Sequence, residues 1–377
     1  MRMWLIIMYT TLAVTLTGLF YLASRVGNFG GIKKLAQGSR RRKFLISFLI
    51  ITAAFVGIGA CLNFMNAIVC VIYFAMVWVV CDVVFWCIER WRKKAFRFYY
   101  AGWTAILGTL LALSVGWYQD YHVWQTDYTI VSEKNIKPLK IAMFADSHLG
   151  TTFGAKGFAK HMATIQYQNP DAVVVVGDFV DDGTTKEDMI AACRTLGELK
   201  TPYGVYFVFG NHDKGYYGSS YRGFSGQELI DELEKNGVVV LRDEAFLVAD
   251  DFYFIGRRDF SEIKERRGYR QTMVELLQTL DQSKYMVVLD HQPTDYDNQA
   301  KAGVDLVLSG HTHGGQLFPF NQVGKWIGAN DLIYGHEKRN KTDFIVTSGL
   351  SDWAIKFKTG TKSEFVMLYI RPQDVKN

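Results

Sequence analysis

The sequence predicts two parts, a bundle of about four membrane-spanning helices and a layered α/β domain that follows it. Hydrophobic residues make up 49% of the 377 residues, and the longest apolar runs lie in the first third. In the rest of the chain, short apolar runs alternate with amphipathic stretches, which is typical of α/β domains. We expect a transmembrane region over 1–118, a linker with an early strand over 119–139, and the α/β domain over 140–377.

Four stretches are apolar and long enough to cross the hydrocarbon core of a bilayer, which takes about 20 helical residues. They cover residues 4–23, 44–62, 67–88 and 98–118. The first stretch could instead be a signal peptide, since Ala23-Ser24 is a suitable cleavage point. A membrane span is favoured, because only Arg2 precedes the run and the run is longer than that of a usual signal peptide.

Basic residues are distributed unevenly between the loops, and this bias sets the orientation of membrane helices. Seven lie between the first two predicted spans and five lie between the last two. The connection 63–66 has none, and no Lys or Arg follows the fourth span until Lys134. We therefore expect a multi-pass protein of the cell membrane with both basic loops in the cytoplasm. The N-terminus and the α/β domain are then extracytoplasmic.

Asp82 lies inside the third predicted span, where a carboxylate is costly. It is therefore either a functional residue or the partner of a basic residue near the end of the span, such as Arg90. No internal repeat and no string of intramembrane charges indicates a transporter.

Charge and cysteine content argue against two kinds of function. Residues 1–118 carry a net charge of +11, whereas residues 119–377 carry −6. Because the acidic part has no basic stripe, nucleic acid is not an expected partner. The five cysteines show no C-x-x-C spacing, so we interpret them as packing residues and not as metal ligands.

Predicted strands and helices alternate through the second part. The strands are expected at 123–131, 141–145, 172–176, 205–209, 238–241, 252–255, 286–289, 304–308 and 344–347, and the helices at 158–168, 186–199, 227–236 and 272–280. Clusters of polar residues follow five of these strands closely: Asp146-Ser147-His148, Gly177-Asp178, Gly210-Asn211-His212-Asp213, Asp290-His291 and Gly310-His311-Thr312-His313. In sheets of this kind ligands bind outside the strand ends, so the five clusters can converge on one crevice.

The clusters supply the donor atoms of a metal centre. Five of the eight histidines lie in them, and they add carboxylates and an amide oxygen but no thiolate. This mixture suits Mn, Fe or Zn. Two such ions held about 3.5–4 Å apart can lower the pKa of a bridging water and stabilise an in-line phosphoryl displacement. Gly177, Gly210 and Gly310 permit the backbone to come close to the site.

The order D-S-H, G-D-F-V-D-D, G-N-H-D, a strand-end His and G-H-T-H-G-G-Q resembles the calcineurin-like metallophosphoesterase superfamily. The resemblance covers residues 140–364. The ending T-S-G-L-S-D-W-A-I-K-F is similar to bacterial multi-pass membrane-associated members, with Lys356 and Ser363 where many of these have Arg and Pro. It implies an α/β (α+β) domain with a central β-sandwich flanked by helices, and a hydrolase of phosphoric esters.

The resemblance also implies roles for individual residues. One metal ion is expected on Asp146, His148, Asp178 and His313, and the second on Asp178, Asn211, His291 and His311. Asp178 then bridges two divalent ions of unknown identity, and His212 contacts the phosphate and protonates the leaving oxygen. Asp182 and Asp213 either orient His212 or a ligand, or cap their own loops.

The substrate is predicted from the expected membrane location of the protein and not from the chemistry of a binding pocket. A membrane anchor favours a phosphomonoester or phosphodiester of a phospholipid or a lipid-linked compound. A UDP-diacylglucosamine-type pyrophosphate hydrolase of lipid A synthesis is an alternative, but it needs a cytoplasmic nucleotide substrate. A membrane-bound sensor or scaffold with a non-catalytic phosphoesterase domain is another alternative, although no expected ligand is missing.

Overall fold

The computed structural model describes residues 2–373, with no side-chain account for residues 2–4, and the chain divides into two compact units. One unit comprises Met1–Val115 and Ala354–Lys356, and the other comprises Gly116–Trp353 and Phe357–Asn377. We call them the helical unit and the α/β unit, and each is described separately.

The first part of the chain is entirely α-helical. Its helices are α1 (Arg2–Val26), α2 (Gly30–Leu35), α3 (Arg40–Cys61), α4 (Phe64–Arg92) and α5 (Tyr100–Tyr121). All except the short α2 are long and apolar enough to cross a membrane, which confirms the four predicted apolar helices. Side-chain caps begin two of them, since Ser39 accepts a hydrogen bond from the α3 backbone and Asn63 accepts one from the α4 backbone.

The carboxylate of Asp82 pairs with a basic residue, as one of the two predicted alternatives has it, but this residue is not Arg90. Arg25 Nε lies 2.8 Å from Asp82 Oδ2, and the Tyr21 hydroxyl donates a 2.7 Å hydrogen bond to the same oxygen. The prediction of a partner such as Arg90 was therefore wrong. The contact joins α1 to α4 across the bundle, because helix packing brings Arg25 closer than any residue of the loop that follows α4.

Two six-stranded sheets form the centre of the α/β unit. The strands are β1 (Trp124–Ser132), β2 (Leu139–Phe144), β3 (Ala172–Val176), β4 (Val205–Val208), β5 (Val239–Val240), β6 (Glu244–Val248), β7 (Phe252–Gly256), β8 (Tyr285–Leu289), β9 (Leu306–Ser309), β10 (Gly335–Arg339), β11 (Thr342–Val346) and β12 (Glu364–Pro372). The first sheet has the order β1-β12-β2-β3-β4-β5 and the second β10-β11-β9-β8-β7-β6. Strands β2 to β5 are parallel to one another, as are β7, β8, β9 and β11.

Helices cover the outer faces of both sheets. The helices of this unit are α6 (Ala155–Tyr167), α7 (Lys186–Gly197), α8 (Ser219–Arg222), α9 (Gly226–Lys235), α10 (Ser261–Lys264), α11 (Met273–Leu277), α12 (Tyr296–Ala302) and α13 (Val323–Trp326). One buried cluster lies between the two sheets, a second joins the first sheet to α6, α7 and α9, and a third joins the second sheet to α11 and α12. This layered β-sandwich confirms the predicted fold class.

The central strands are buried on both faces, and their sequences explain why. Strand β3 reads A-V-V-V-V and every residue is buried, as expected for β-branched residues in a parallel strand covered on two sides. Three strands were not predicted, namely β6, β10 and β12. Strand β1 lies within the predicted linker and pairs with β12, so this segment is part of the sheet.

Candidate metal centre

The predicted ligand residues all lie at the carboxyl ends of parallel strands. Asp146 and His148 follow β2, Asp178 follows β3, and Asn211 and His212 follow β4. In the second sheet, His291 follows β8, and His311 and His313 follow β9. Because the two sheets pack face to face, these five strand ends lie together.

Three groups of described residues are compact enough to hold a metal ion, and two of them consist of predicted ligands, whereas the third is His148, Asp181 and His212. Asp146, His148 and His313 each offer one atom to a group in which all atoms lie within 4.8 Å of one another. Nε2 of His148 lies 4.0 Å from Asp146 Oδ1, and Nε2 of His313 lies 3.8 Å from the same oxygen. Asp178, His291 and His311 form the other group of predicted ligands, within the same distance limit.

Asp178 lies between the two groups. Its Oδ2 is 3.1 Å from His291 Nε2 and 3.7 Å from His148 Nε2. Its Oδ1 accepts a 2.8 Å hydrogen bond from the backbone N–H of His212. The carboxylate is thus oriented by the chain, and one oxygen faces an imidazole of each group.

The imidazoles are oriented through their second nitrogen, as is usual for histidines that bind metals. Nδ1 of His291 is 2.8 Å from the carbonyl oxygen of Val176. Nδ1 of His313 is 2.9 Å from Asp352 Oδ1 and 3.2 Å from the carbonyl oxygen of Ser351. These contacts leave Nε2 of both rings directed at the aspartates.

Three buried donor atoms of these residues lack a hydrogen-bond partner in the described part of the chain. They are Nε2 of His148, Nε2 of His291 and Oδ1 of Asn211. The Asn211 amide is held by its other end, since Nδ2 donates a 2.9 Å hydrogen bond to the Tyr216 hydroxyl. A buried polar atom without a partner is costly. Bound cations would satisfy all three atoms, so the donor set fits metal ions.

The backbone at the candidate ligands adopts a conformation that is rare for residues other than glycine. Five of the seven have a positive φ between 34° and 71°. These five are Asp146, His148, Asp178, His311 and His313. Such conformations cost roughly 1–3 kcal/mol each and cluster at functional sites, where the surrounding structure holds them.

Two glycines make room for this arrangement. A Cβ at Gly210 would lie 2.1 Å from Asp178 Oδ1 and 2.4 Å from the Asp178 backbone nitrogen. Gly177 has a φ of +80°, and a Cβ there would lie 2.6 Å from His291 Nδ1. Any side chain at either position would displace a candidate ligand, as the sequence predicted.

His212 lies beside the candidate ligands and contacts a carboxylate that sequence reasoning missed. Its Nδ1 is 3.1 Å from Asp181 Oδ1, and Asp181 Oδ2 is 3.1 Å from Nδ1 of His148. Burial lowers the pKa of His212, but the charges of Asp178 and Asp181 outweigh it and raise that pKa to about 9. These two carboxylates therefore favour the protonated form of the His212 ring, which can donate a proton.

The two aspartates that were predicted as possible orienting groups cap loops instead. Asp213 accepts hydrogen bonds from four backbone N–H groups, those of Asp178, Phe179, Val180 and Gly210. Asp182 accepts from the backbone N–H groups of Tyr216 and Tyr217. Asp181 belongs to the motif G-D-F-V-D-D. The sequence alone does not show which of its two adjacent aspartates, Asp181 or Asp182, contacts His212, because that depends on the backbone geometry.

Burial and neighbouring charges shift the pKa values of the histidines in opposite directions. Burial, with the nearby His291, lowers the pKa of His311 to about 3. Burial also lowers the pKa of His313. Burial opposes the charged form of His291 as well, but Asp178 and other carboxylates raise its pKa well above the usual value. Neutral imidazoles such as His311 and His313 have the lone pair that a metal ligand needs.

Comparison with known proteins identifies the class. The model of the calcineurin-like phosphoesterase family matches residues 139–315, a range that contains all seven candidate ligands. An uncharacterised metallophosphoesterase of Aquifex aeolicus is 36% identical over 204 residues, which are 53% of this chain and 73% of the relative. The chain belongs to the calcineurin-like phosphoesterases.

Two further relatives extend the comparison. An uncharacterised metallophosphoesterase of Campylobacter jejuni is 30% identical over 236 residues, which are 62% of this chain and 60% of the relative. A Bos taurus transmembrane protein with a metallophosphoesterase domain is 28% identical over 245 residues, which are 63% of this chain and 54% of the relative. The match thus spans little more than half the length of each of these two relatives.

Proposed function

We propose that the chain is a metal-dependent hydrolase of phosphoric esters. The observation that carries the proposal is the convergence of seven donor residues, all buried except the partly exposed His311. Three of them have a donor atom without a hydrogen-bond partner among the described residues. In this proposal one divalent ion binds Asp146, His148, Asp178 and His313. The other binds Asp178, Asn211, His291 and His311.

The residues of the chain divide the chemistry between them. Bound metal ions supply the positive charge that lowers the pKa of a water and stabilises the charge on the phosphoryl oxygens. Asp178 and the imidazoles hold that charge in place. In this proposal His212, whose pKa is raised by the neighbouring carboxylates, contacts the phosphate and donates its proton to the leaving oxygen. Asp181 keeps the His212 ring oriented for that transfer.

The proposed substrate is a phosphomonoester or phosphodiester of a membrane lipid or a lipid-linked compound. Four membrane-length helices on the same chain support this proposal. Aromatic side chains beside His212 support it as well, because the ring of Tyr216 is 5.1 Å and that of Trp353 is 6.3 Å from the His212 ring, measured between centroids. Both aromatic side chains are exposed, so they can contact the organic part of a substrate.

We further propose that the protein is multi-pass and that its phosphoesterase domain lies outside the cytoplasm. The distribution of Lys and Arg between the loops supports this orientation. Manganese, iron and zinc all suit the proposed ligands, which are nitrogen and oxygen atoms. No described residue favours the nucleotide-lipid pyrophosphatase, and the retained ligand set disfavours a non-catalytic scaffold.

Hydrolysis of bis-p-nitrophenyl phosphate by the detergent-purified chain in the presence of Mn²⁺ tests the reaction. We expect activity in the wild type and its loss in Asp178→Ala and His311→Ala. His161→Ala serves as the matched control, because His161 lies on α6 away from the candidate ligands. Activity that survives both ligand substitutions would rule out the proposed site.

Two further measurements test the substrate and the orientation. A reporter fused to the C-terminus should be active only outside the cytoplasm, and a signal confined to the cytoplasm would reverse the proposed topology. Hydrolysis of phospholipid phosphate esters presented in mixed micelles should exceed that of the same headgroup esters without acyl chains. Equal rates for the two would contradict the proposed lipid substrate.

A further inference from the structure

The helical unit contains an apolar cavity of about 700 Å³ between its helices. This volume is within the range of small-molecule sites, about 300–1,000 Å³. Every helix of the unit contributes to the wall, and the lining includes Leu22 from α1, Ile32 from α2, Phe55 from α3, Phe74 from α4 and Trp103 from α5. No charged side chain lines the cavity, so the occupant must present hydrocarbon.

A second cavity of about 310 Å³ is basic. It is lined by residues of α2, the turn after it and the start of α3, among them Lys33, Arg40 and Lys43. No Asp or Glu precedes Asp82 in the sequence, and none of these three residues forms an ion pair with a described carboxylate. Three cations without an acidic partner around one recess favour an anion.

Helix α2 contributes residues to the walls of both cavities. Its residues Ile32 and Leu35 line the apolar cavity, whereas Lys33 and the following Ala36 line the basic one. A ligand that fills both must therefore carry an anionic group at the end of a hydrocarbon chain. Basic recesses between membrane helices are known to bind the headgroups of anionic lipids.

We propose that the helical unit binds an acidic glycerophospholipid, with an acyl chain in the apolar cavity and the phosphate in the basic one. This site is separate from the candidate metal centre, and the inference does not depend on the proposed hydrolysis. The lipid is a ligand shared by α1, α3 and α5. It stays bound when the protein is extracted from the membrane.

Glycine positions provide a sharp test of the apolar cavity. Gly31 lines it, and a Cβ at this position would have no heavy atom within 4 Å. Gly31→Leu adds a side chain at the cavity wall, and we expect this side chain to occupy space that the acyl chain needs. The matched control is Gly57→Leu on α3, since Gly57 also has open space around its Cβ position but does not line the cavity. Ala54→Phe fills the cavity from α3 and serves as an independent variant.

The basic cavity is tested with variants that remove equal charge. Lys33→Gln/Arg40→Gln removes two of its cations, whereas Lys93→Gln/Lys94→Gln removes two cations from the loop after α4. The full chain is incubated in detergent micelles with equal amounts of phosphatidylglycerol and phosphatidylcholine that have the same acyl chains. Native mass spectrometry then counts the lipids that stay bound, and circular dichroism and gel filtration verify folding.

We expect the wild type and both controls to retain one phosphatidylglycerol, with at least a tenfold preference over phosphatidylcholine. The two cavity-filling variants should retain neither lipid. The variant Lys33→Gln/Arg40→Gln should lose the preference. Equal lipid retention by Gly31→Leu and Gly57→Leu would overturn the proposal, as would an unchanged preference after loss of Lys33 and Arg40.

Discussion

Oδ1 of Asp181 lies 3.1 Å from Nδ1 of His212, and the other oxygen of the same carboxylate lies 3.1 Å from Nδ1 of His148. One side chain therefore orients both the proposed general acid and a proposed metal ligand. Its own pKa is lowered, because its hydrogen bonds to the two histidines outweigh the effect of burial. Asp181 thus carries a negative charge at every pH at which the enzyme would work.

Replacing Asp181 with asparagine should reduce kcat about 10- to 100-fold with little change in KM. The charge that raises the pKa of His212 is lost, so His212 should lose its proton at a lower pH. The alkaline limb of the pH profile of kcat should therefore move to lower pH. Asp182→Asn is the control, because an amide oxygen can still accept the backbone hydrogen bonds of Tyr216 and Tyr217. An unchanged pH profile in Asp181→Asn would contradict the assigned role.

The hydroxyl of Tyr216 should matter for metal binding through Asn211. In Tyr216→Phe the Asn211 Nδ2 group loses its 2.9 Å hydrogen bond, and the amide can rotate its oxygen away from the site. We expect the affinity for the second Mn²⁺ ion to fall about 10- to 100-fold, measured by isothermal titration calorimetry. Tyr217→Phe, which alters an exposed ring, should bind both ions as the wild type does, and equal affinities in the two variants would refute the proposed role.

Gly210→Ala should disrupt the site although it adds a single methyl group. The methyl carbon would lie 2.4 Å from the backbone nitrogen of Asp178, so the loop after β3 must shift. We expect a loss of stability of about 1–3 kcal/mol and loss of bound metal, measured by thermal unfolding and elemental analysis. A Cβ at Gly183 would have no atom within 4 Å, so Gly183→Ala is the control and should change neither quantity. Metal content at the wild-type level in Gly210→Ala would contradict the prediction.

The buried amine of Lys358 is expected to contribute strongly to stability. It donates a 2.7 Å hydrogen bond to the carbonyl oxygen of Ser348 and a 3.2 Å bond to that of Ser351, and lies 3.8 Å from Asp352. Lys358→Met removes the hydrogen bond to the Ser348 carbonyl oxygen and the cation beside the buried Asp352, and should cost about 3–5 kcal/mol. Chemical denaturation measures the change. Lys341→Met, at an exposed ion pair, is the control, and equal midpoints for both variants would contradict the expectation.

The location of the candidate site was predictable because its residues follow buried strands directly. A short apolar run that is followed by an acidic residue or a histidine predicts a strand. It also predicts that this residue lies at the carboxyl end of the strand, where ligands bind. His291 follows β8 in this way, and Asp178 follows β3. Contacts that depend on the backbone between elements were not predictable, and the choice of Asp181 over Asp182 is one of them.

Most of the remaining differences between the predicted and the observed structure are of two kinds. They concern contacts between residues distant in sequence, and polar strands at sheet edges. Asp82 pairs with Arg25 because α1 packs against α4, which no local pattern reveals. Strand β10 has the sequence G-H-E-K-R and lies at a sheet edge, so it lacks the apolar alternation of a typical strand. Strand β12 does contain an apolar run, over 365–370, which is a usable signal.

Strand β12 lies between β1 and β2 in the first sheet, although β2 ends at Phe144 and β12 begins at Glu364. During synthesis, both neighbours leave the ribosome long before the strand that joins them. A nascent chain that stops short of Glu364 already carries every proposed metal ligand but has two open sheet edges, which are prone to aggregation. The first sheet is therefore complete only when translation has passed β12, after every proposed metal ligand has been made.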